Sequence, residues 1–310
     1  MAEFDLVAFI QQNISTIASS AQFVAGAVVS AMFLRKKNRI ETGTQEFEKI
    51  KAGLIKEAAE ELLNAGKISL YEFCKMDNYL EIAKKADEYR KTDTIPPQSF
   101  GWHTRFYEDS GNISDEKLQD IWAKVLAGEI DHPGSCSLRT LDCLRNISKE
   151  EAELFQKVCD ASIRVGKSVL LPRFGGVMED KGITYDDVLR LDDCGLMKSA
   201  SGMVVGMPIG ESYGIVTYDD KWVLLAKKRQ GANSFRLELP QYLFSACGSE
   251  LYGVVGTETD IPKLCEMIKG EFNNYEFACG QVVNNDNGKI TYTVIMLEVH
   301  REDTTEGLKG

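Results

Sequence analysis

The chain has 310 residues and a formal net charge of −11. At 44% hydrophobic and 27% charged it can bury a sizeable core, which excludes wholesale disorder, and the acidic balance excludes a general coat for nucleic acid. The mean hydropathy of −0.21 excludes a polytopic membrane protein but leaves room for one membrane segment.

Such a segment stands at the start. From Leu6 to Leu34 no residue is charged, over 29 positions. Glu3 and Asp5 precede the run, and Arg35, Lys36, Lys37 and Arg39 follow it. Ile17 to Leu34 is about long enough to cross a bilayer as a helix. The acidic start argues against a secretory signal. The basic cluster after the run predicts a single pass through a bacterial inner membrane, with the bulk of the chain cytosolic.

The run is also patterned. Val7, Ile10, Ile14, Ile17, Ala21, Val24, Val28 and Ala31 recur at spacings of three and four, a heptad seam. Gln12, Ser15, Ser19, Gln22, Gly26 and Ser30 are offset by two positions and form an uncharged polar stripe on the opposite side. Opposed stripes of this kind predict self-association, hence a homo-oligomer. In a membrane the polar stripe would turn inward; in water the apolar seam would, as a coiled coil in a cytoplasmic protein.

Two helices are predicted next, Thr44 to Ala65 and Ser69 to Tyr89, followed by a break at Ile95-Pro96-Pro97. Ser114 is a candidate N-cap for a helix whose apolar face is Leu118, Ile121, Trp122, Val125 and Leu126. A short helix over Leu138 to Arg145 follows. Ser148 and Glu151 then form a capping box for a helix with Ala152, Phe155, Val158 and Cys159 on its core face.

From Lys167 the pattern turns to strands, with one helix opened by Thr184 and Asp187. Helix followed by a small sheet predicts a winged-helix-like region. Nucleic acid is disfavoured there, because the presented helix carries Asp186, Asp187, Asp192 and Asp193 against Arg190. A protein partner fits better. The last sixty or so residues predict a β-α-β-β unit: a strand Leu251–Val255, a helix from Asp260 to Glu271, a strand Phe277–Val283 and a strand from Ile290.

No motif compels a reaction. Gly210-Glu211-Ser212-Tyr213-Gly214 matches G-x-S-x-G, but the residues after it read as a strand where a nucleophile elbow needs a helix. No phosphate loop is present. The eight cysteines contain no C-x-x-C pair and read as buried thiols. With only three histidines, dispersed along the chain, no metal site and no cofactor is expected. His103, Glu108 and Asp109 would support acid–base chemistry only if their side chains converged.

Phe106, Glu108, Asp109, Ile113 to Glu116, Trp122, Leu126 to Ile130, Pro133, Ser137, Arg139 to Leu141 and Ser148 to Phe155 carry a resemblance. The stretch resembles a bacterial family catalogued only as a domain of unknown function (number 2806). It covers about fifty residues closely and residues 44–250 loosely. The resemblance singles out His103, Glu108, Asp109, Trp122 and Arg139 but implies no activity. The stretch is also distantly similar to abortive-infection alpha proteins, which implies phage defence.

The expected fold is α+β. It comprises an N-terminal helix with basic flank (1–39), a helical hairpin (40–95), a helical core (98–165), the winged-helix-like region (166–250), the β-α-β-β unit (251–300) and a tail (301–310). The expected function is a membrane-associated, self-assembling, non-catalytic protein. The alternative is a soluble oligomeric adaptor.

Overall fold

A computed structural model describes residues 56, 59–91, 100–165, 168–174, 176–200, 204–208, 214–218, 221–229, 236–255, 272, 274–286 and 289–297. The uncharged run Leu6–Leu34 with its seam, polar stripe and basic flank lies outside these residues. So do most of the predicted helix from Thr44, the Asp260–Glu271 helix, Ser212 and the tail. Among the described residues no helix is long and apolar enough to cross a membrane.

The chain divides into two compact units. The first comprises Met1–Ala152 with Ala246–Val255, the second Glu153–Ser245 with Gly256–Gly310. The described part of the first unit is helical: α1 (Leu70–Tyr89), α2 (Phe100–Ser110), α3 (Glu116–Asp131), α4 (Leu138–Arg145) and the start of α5 (Lys149–Cys159), with α8 (Ala246–Val255) returning to it.

Local signals set most of these bounds. Ser69 opens α1, its hydroxyl accepting from Glu72 N while the Glu72 carboxylate accepts from Ser69 N at 2.8 Å. Ser137 caps α4, and a Ser148–Glu151 capping box opens α5. One cap differs from expectation. Asp115, not Ser114, opens α3, because its carboxylate accepts from both Lys117 N and Leu118 N and is also paired with Lys149. The core of the unit is aromatic. Trp102 stacks on Phe106, Phe106 meets Trp122 edge-on, and Tyr79 meets both Phe106 and Tyr107 edge-on. Trp122, Phe106, Ile82, Leu126 and Leu141 are fully buried there. α1 packs along α3, and α8 packs on α3 and α4.

The second unit holds the rest of α5, β1 (Ile163–Val165), β2 (Ser168–Pro172), α6 (Val177–Asp180), α7 (Tyr185–Asp193), β3 (Met197–Lys198), β4 (Val204–Pro208), β5 (Gly214–Tyr218), β6 (Trp222–Lys228), β7 (Arg236–Phe244), β8 (Tyr275–Asp286) and β9 (Lys289–Leu297). All described pairings are antiparallel. In one sheet the order is β1-β2-β7-β3, with β4 pairing the first half of β7; in the other it is β5-β6-β8-β9. Val223, Leu225 and Ala278 form a core cluster on the second sheet, with Val282, Ile290 and Tyr292 packed against it. Gly280 sits at a bulge of β8, where a Cβ would come within 2.7 Å of the Thr293 carbonyl.

The architecture is mixed helix and sheet, as expected for α+β. Leu251–Val255 is not a strand: it is the second half of α8. Its apolar residues Cys247, Leu251, Tyr252 and Val255 recur at helical spacing and are all buried, so the β-branched end of the segment did not decide its conformation. The described part of the predicted β-α-β-β unit is therefore the β8–β9 hairpin. The basic stretch Lys227-Lys228-Arg229 closes an inner strand. β6 lies between β5 and β8, Lys227 and Lys228 face Glu276 and Tyr275 in register, and Arg229 N donates to Asn274 O.

Candidate functional site

Three carboxylates in the helical unit anchor the short helix α4 and the loop that leads into it. The first is Asp109, near the end of α2. It is 5% exposed. Arg105, one turn earlier, donates Nε to Asp109 Oδ2 at 2.7 Å, and Arg145 at the end of α4 lies 3.5 Å from Oδ1. Arg105 also pairs with Asp142 of α4. Two guanidiniums thus compensate one buried carboxylate and tie α2 to α4.

The second is Glu129, 4% exposed in the last turn of α3. An acid near a helix C-terminus opposes the macrodipole, so it needs other partners. It has them in the following loop: Gly134 N donates to Oε1 at 2.7 Å, Cys136 N to Oε2 at 3.0 Å and Ser135 Oγ to Oε2 at 3.3 Å. Gly134, at φ +85°, makes the turn that aims these donors inward. The loop so shaped offers the Cys136 carbonyl to Trp102 Nε1 at 2.8 Å.

The third is Glu250 of α8. Its Oε2 accepts from Ser137 N at 2.7 Å and from Thr140 Oγ1 at 2.5 Å, so a negative charge sits at the N-terminus of α4, where the helix dipole favours it. Helix α4 is therefore fastened at its start by Glu250 and at its end by the Arg105–Asp109–Arg145–Asp142 lattice.

The residues singled out by sequence take separate places. Trp122 is in the aromatic core. His103 is half-buried with its ring edge-on to Trp102, and burial lowers its pKa. Glu108 is half-buried, and Arg139 is exposed on α4. On one helix at about 100° per residue, His103 and Asp109 point about 120° apart, and Glu108 points about 100° away from Asp109. Among the described residues no group of three His, Cys, Asp or Glu side chains could hold a metal ion. Chemically, the three anchored carboxylates present their oxygens to backbone, hydroxyl and guanidinium donors; the arrangement holds helices together.

Glu250, Arg105, Asp142 and Arg145 escaped the sequence reading, and Glu129 entered it only as part of the Leu126–Ile130 resemblance. For Glu129 the signal was its position, an acid in a last helical turn before His132-Pro133-Gly134. For Glu250 it was a lone acid in an otherwise uncharged helix.

In the second unit exposed apolar side chains stand on the β8–β9 hairpin (Val283, Val294 and Ile295) and on α7. Tyr185 and Leu189, one turn apart, are 47% and 37% exposed. Tyr185 stacks on Tyr242 of β7, and the Arg173 guanidinium lies 4.7 Å over the same ring. Of the four aspartates, Asp187 closes the capping box with Thr184, and Asp192 accepts from Ser199 N at 2.8 Å and from its hydroxyl. Asp186 and Asp193 remain exposed with Arg190.

The family model described as protein of unknown function DUF2806 matches residues 70–262. That span begins at the first residue of α1, takes in all three anchored carboxylates and α7, and ends before the β8–β9 hairpin. No curated protein and no solved structure matches the chain.

Proposed function

We propose, for a chain that belongs to the DUF2806 family of proteins of unknown function, a self-assembling and non-catalytic binding protein of bacteria. In this reading residues 1–39 assemble the chain at the inner membrane, and the cytosolic β-containing unit takes a protein partner through α7. The observation that carries the partner reading is the exposed Tyr185–Leu189 pair, backed by the Tyr242 and Arg173 stack. Aromatic and arginine side chains of this kind are what protein interfaces enrich. The place of α7 between β2 and β3, in a sheet that runs β2-β7-β3, supports describing the region as winged-helix-like, with α7 as its presented helix. Two exposed aspartates on that helix disfavour phosphate backbones.

The membrane half of the reading rests on the 29 uncharged positions and the basic flank. Detergent-free fractionation of the full chain tests it. The protein is expected in the membrane fraction as an oligomer, and deletion of residues 1–39 is expected to release it as smaller species. A wholly soluble full chain, with assembly unchanged by the deletion, removes the membrane half. The soluble coiled-coil adaptor is the second reading. Ser19→Leu with Gln22→Leu separates the two: it strengthens membrane partition in the first and causes aggregation in the second. A narrower version places the chain in phage defence, with the clustered N-terminal helices perturbing the membrane. Unchanged phage plating on cells with and without the full-length chain sinks that version.

A further inference from the structure

Helices α4 and α8 lie side by side and meet at two levels. At one, Glu250 accepts from Thr140. At the other, the Cys143 thiol points to Cys247 and donates to its sulfur. Cys143 is three residues after Thr140 and Cys247 three residues before Glu250, so the two contacts are rungs one helical turn apart between helices of opposite sense. The Glu250 rung, extended by Ser137 N, sets the register in which the thiols face each other. Cys247 is buried, whereas Cys143 is half-buried and reachable from solvent.

We propose that Cys143 and Cys247 form a reversible intramolecular disulfide that fastens α8 to α4. The oxidant is a low-molecular-weight disulfide such as oxidised glutathione. The Cys143 thiolate attacks one sulfur of it; that S–S bond breaks, and one small thiol leaves. Cys247, losing its proton, then attacks Cys143 Sγ and expels the second small thiol. The protein gives up two electrons and two protons, and the small disulfide becomes two thiols. Burial, and the hydrogen bond it donates to Cys247, push the Cys143 thiol up to about 12, with Asp142 acting in the same direction and Arg139 against it. Attack is therefore slow at neutral pH, and the pair responds to sustained oxidation.

The bond would matter because of what lies between the two cysteines. The chain leaves the first unit after Ala152 and returns to it at Ala246. Cys247 is the second residue of the returning helix, so the disulfide holds α8 in the first unit as long as it stays oxidised.

Trypsin sorts the three nearby thiols into separate peptides: Cys136 in 125–139, Cys143 in 140–145 and Cys247 in 237–263. The full-length chain is incubated with oxidised glutathione, remaining thiols are blocked, and the digest is weighed without reductant. The expected product joins 140–145 to 237–263, disappears on reduction and is absent from Cys143→Ser. Cleavage within 246–255 by a limiting protease is expected to slow about tenfold in the oxidised form. Glutathione found only on exposed Cys74, or a 125–139 to 237–263 product that persists in Cys143→Ser, overturns the proposal. If Cys247→Ser folds poorly, Cys143→Ser with its urea midpoint carries the test.

Discussion

In the helical unit, Asp109, Glu129 and Glu250 direct their oxygens to helix ends, loop amides and arginines, and two of the three are almost completely buried. In the β-containing unit, α7 uses Asp187 and Asp192 for its own cap and the following loop, and leaves Tyr185, Asp186, Leu189, Arg190 and Asp193 outside. Charge in the first unit is a fastening, between distant elements at Asp109 and Glu250 and between a helix and its own following loop at Glu129. On α7, local contacts satisfy the inner charges, and the outer face is left for something else. A cluster of acidic residues is thus a poor guide to chemistry until its donors are known.

If that contrast holds, substitutions in the two units should read out differently. The largest loss of stability is expected from Trp122→Ala, at about 4 kcal/mol, since the ring is fully buried and edge-on to Phe106. Asp109→Ala should follow at about 2 kcal/mol, because it removes the buried carboxylate that Arg105 and Arg145 share and leaves only the exposed Asp142 to pair them. Glu250→Gln should cost about 1 kcal/mol by weakening the charged cap on α4. Urea midpoints check all three, and a midpoint unchanged in Asp109→Ala would break the idea of carboxylates as fastenings. Tyr185→Ala with Leu189→Ser should leave the midpoint within about 0.5 kcal/mol, which marks α7 as a surface and not a core element. The smallest effect is expected at the cap of α1. The Ser69 amide and hydroxyl hold the Glu72 carboxyl below its usual range. A group with a lowered folded pKa stabilises above its unfolded pKa and loses that contribution as the pH falls through the folded value. The small midpoint difference between wild type and Glu72→Gln should therefore shrink on acidification below the usual carboxylate range.

The sequence exposed local devices well. The Ser148–Glu151 and Thr184–Asp187 boxes, the bounds of α4 and the start of α1 all depend on residues three apart, and all are found. It exposed non-local ones poorly. Ser114 and Asp115 are both competent caps, and only Lys149, brought in from the start of α5, accompanies the one used. Leu251–Val255 reads as a strand by residue type and becomes helical where Cys247 and Glu250 meet α4. Asp109 looks exposed until Arg145, far along the chain, is placed beside it.

Helix α4 is eight residues long, well below the length at which a helix holds itself in water. Its own turns contribute little, so its persistence is borrowed from Glu250, Asp109 and the side chains it covers. Its amides therefore have no private opening equilibrium to report. In hydrogen exchange they should behave as a gauge of the whole helical unit: protected while every fastening holds, and released together when any one of them gives way.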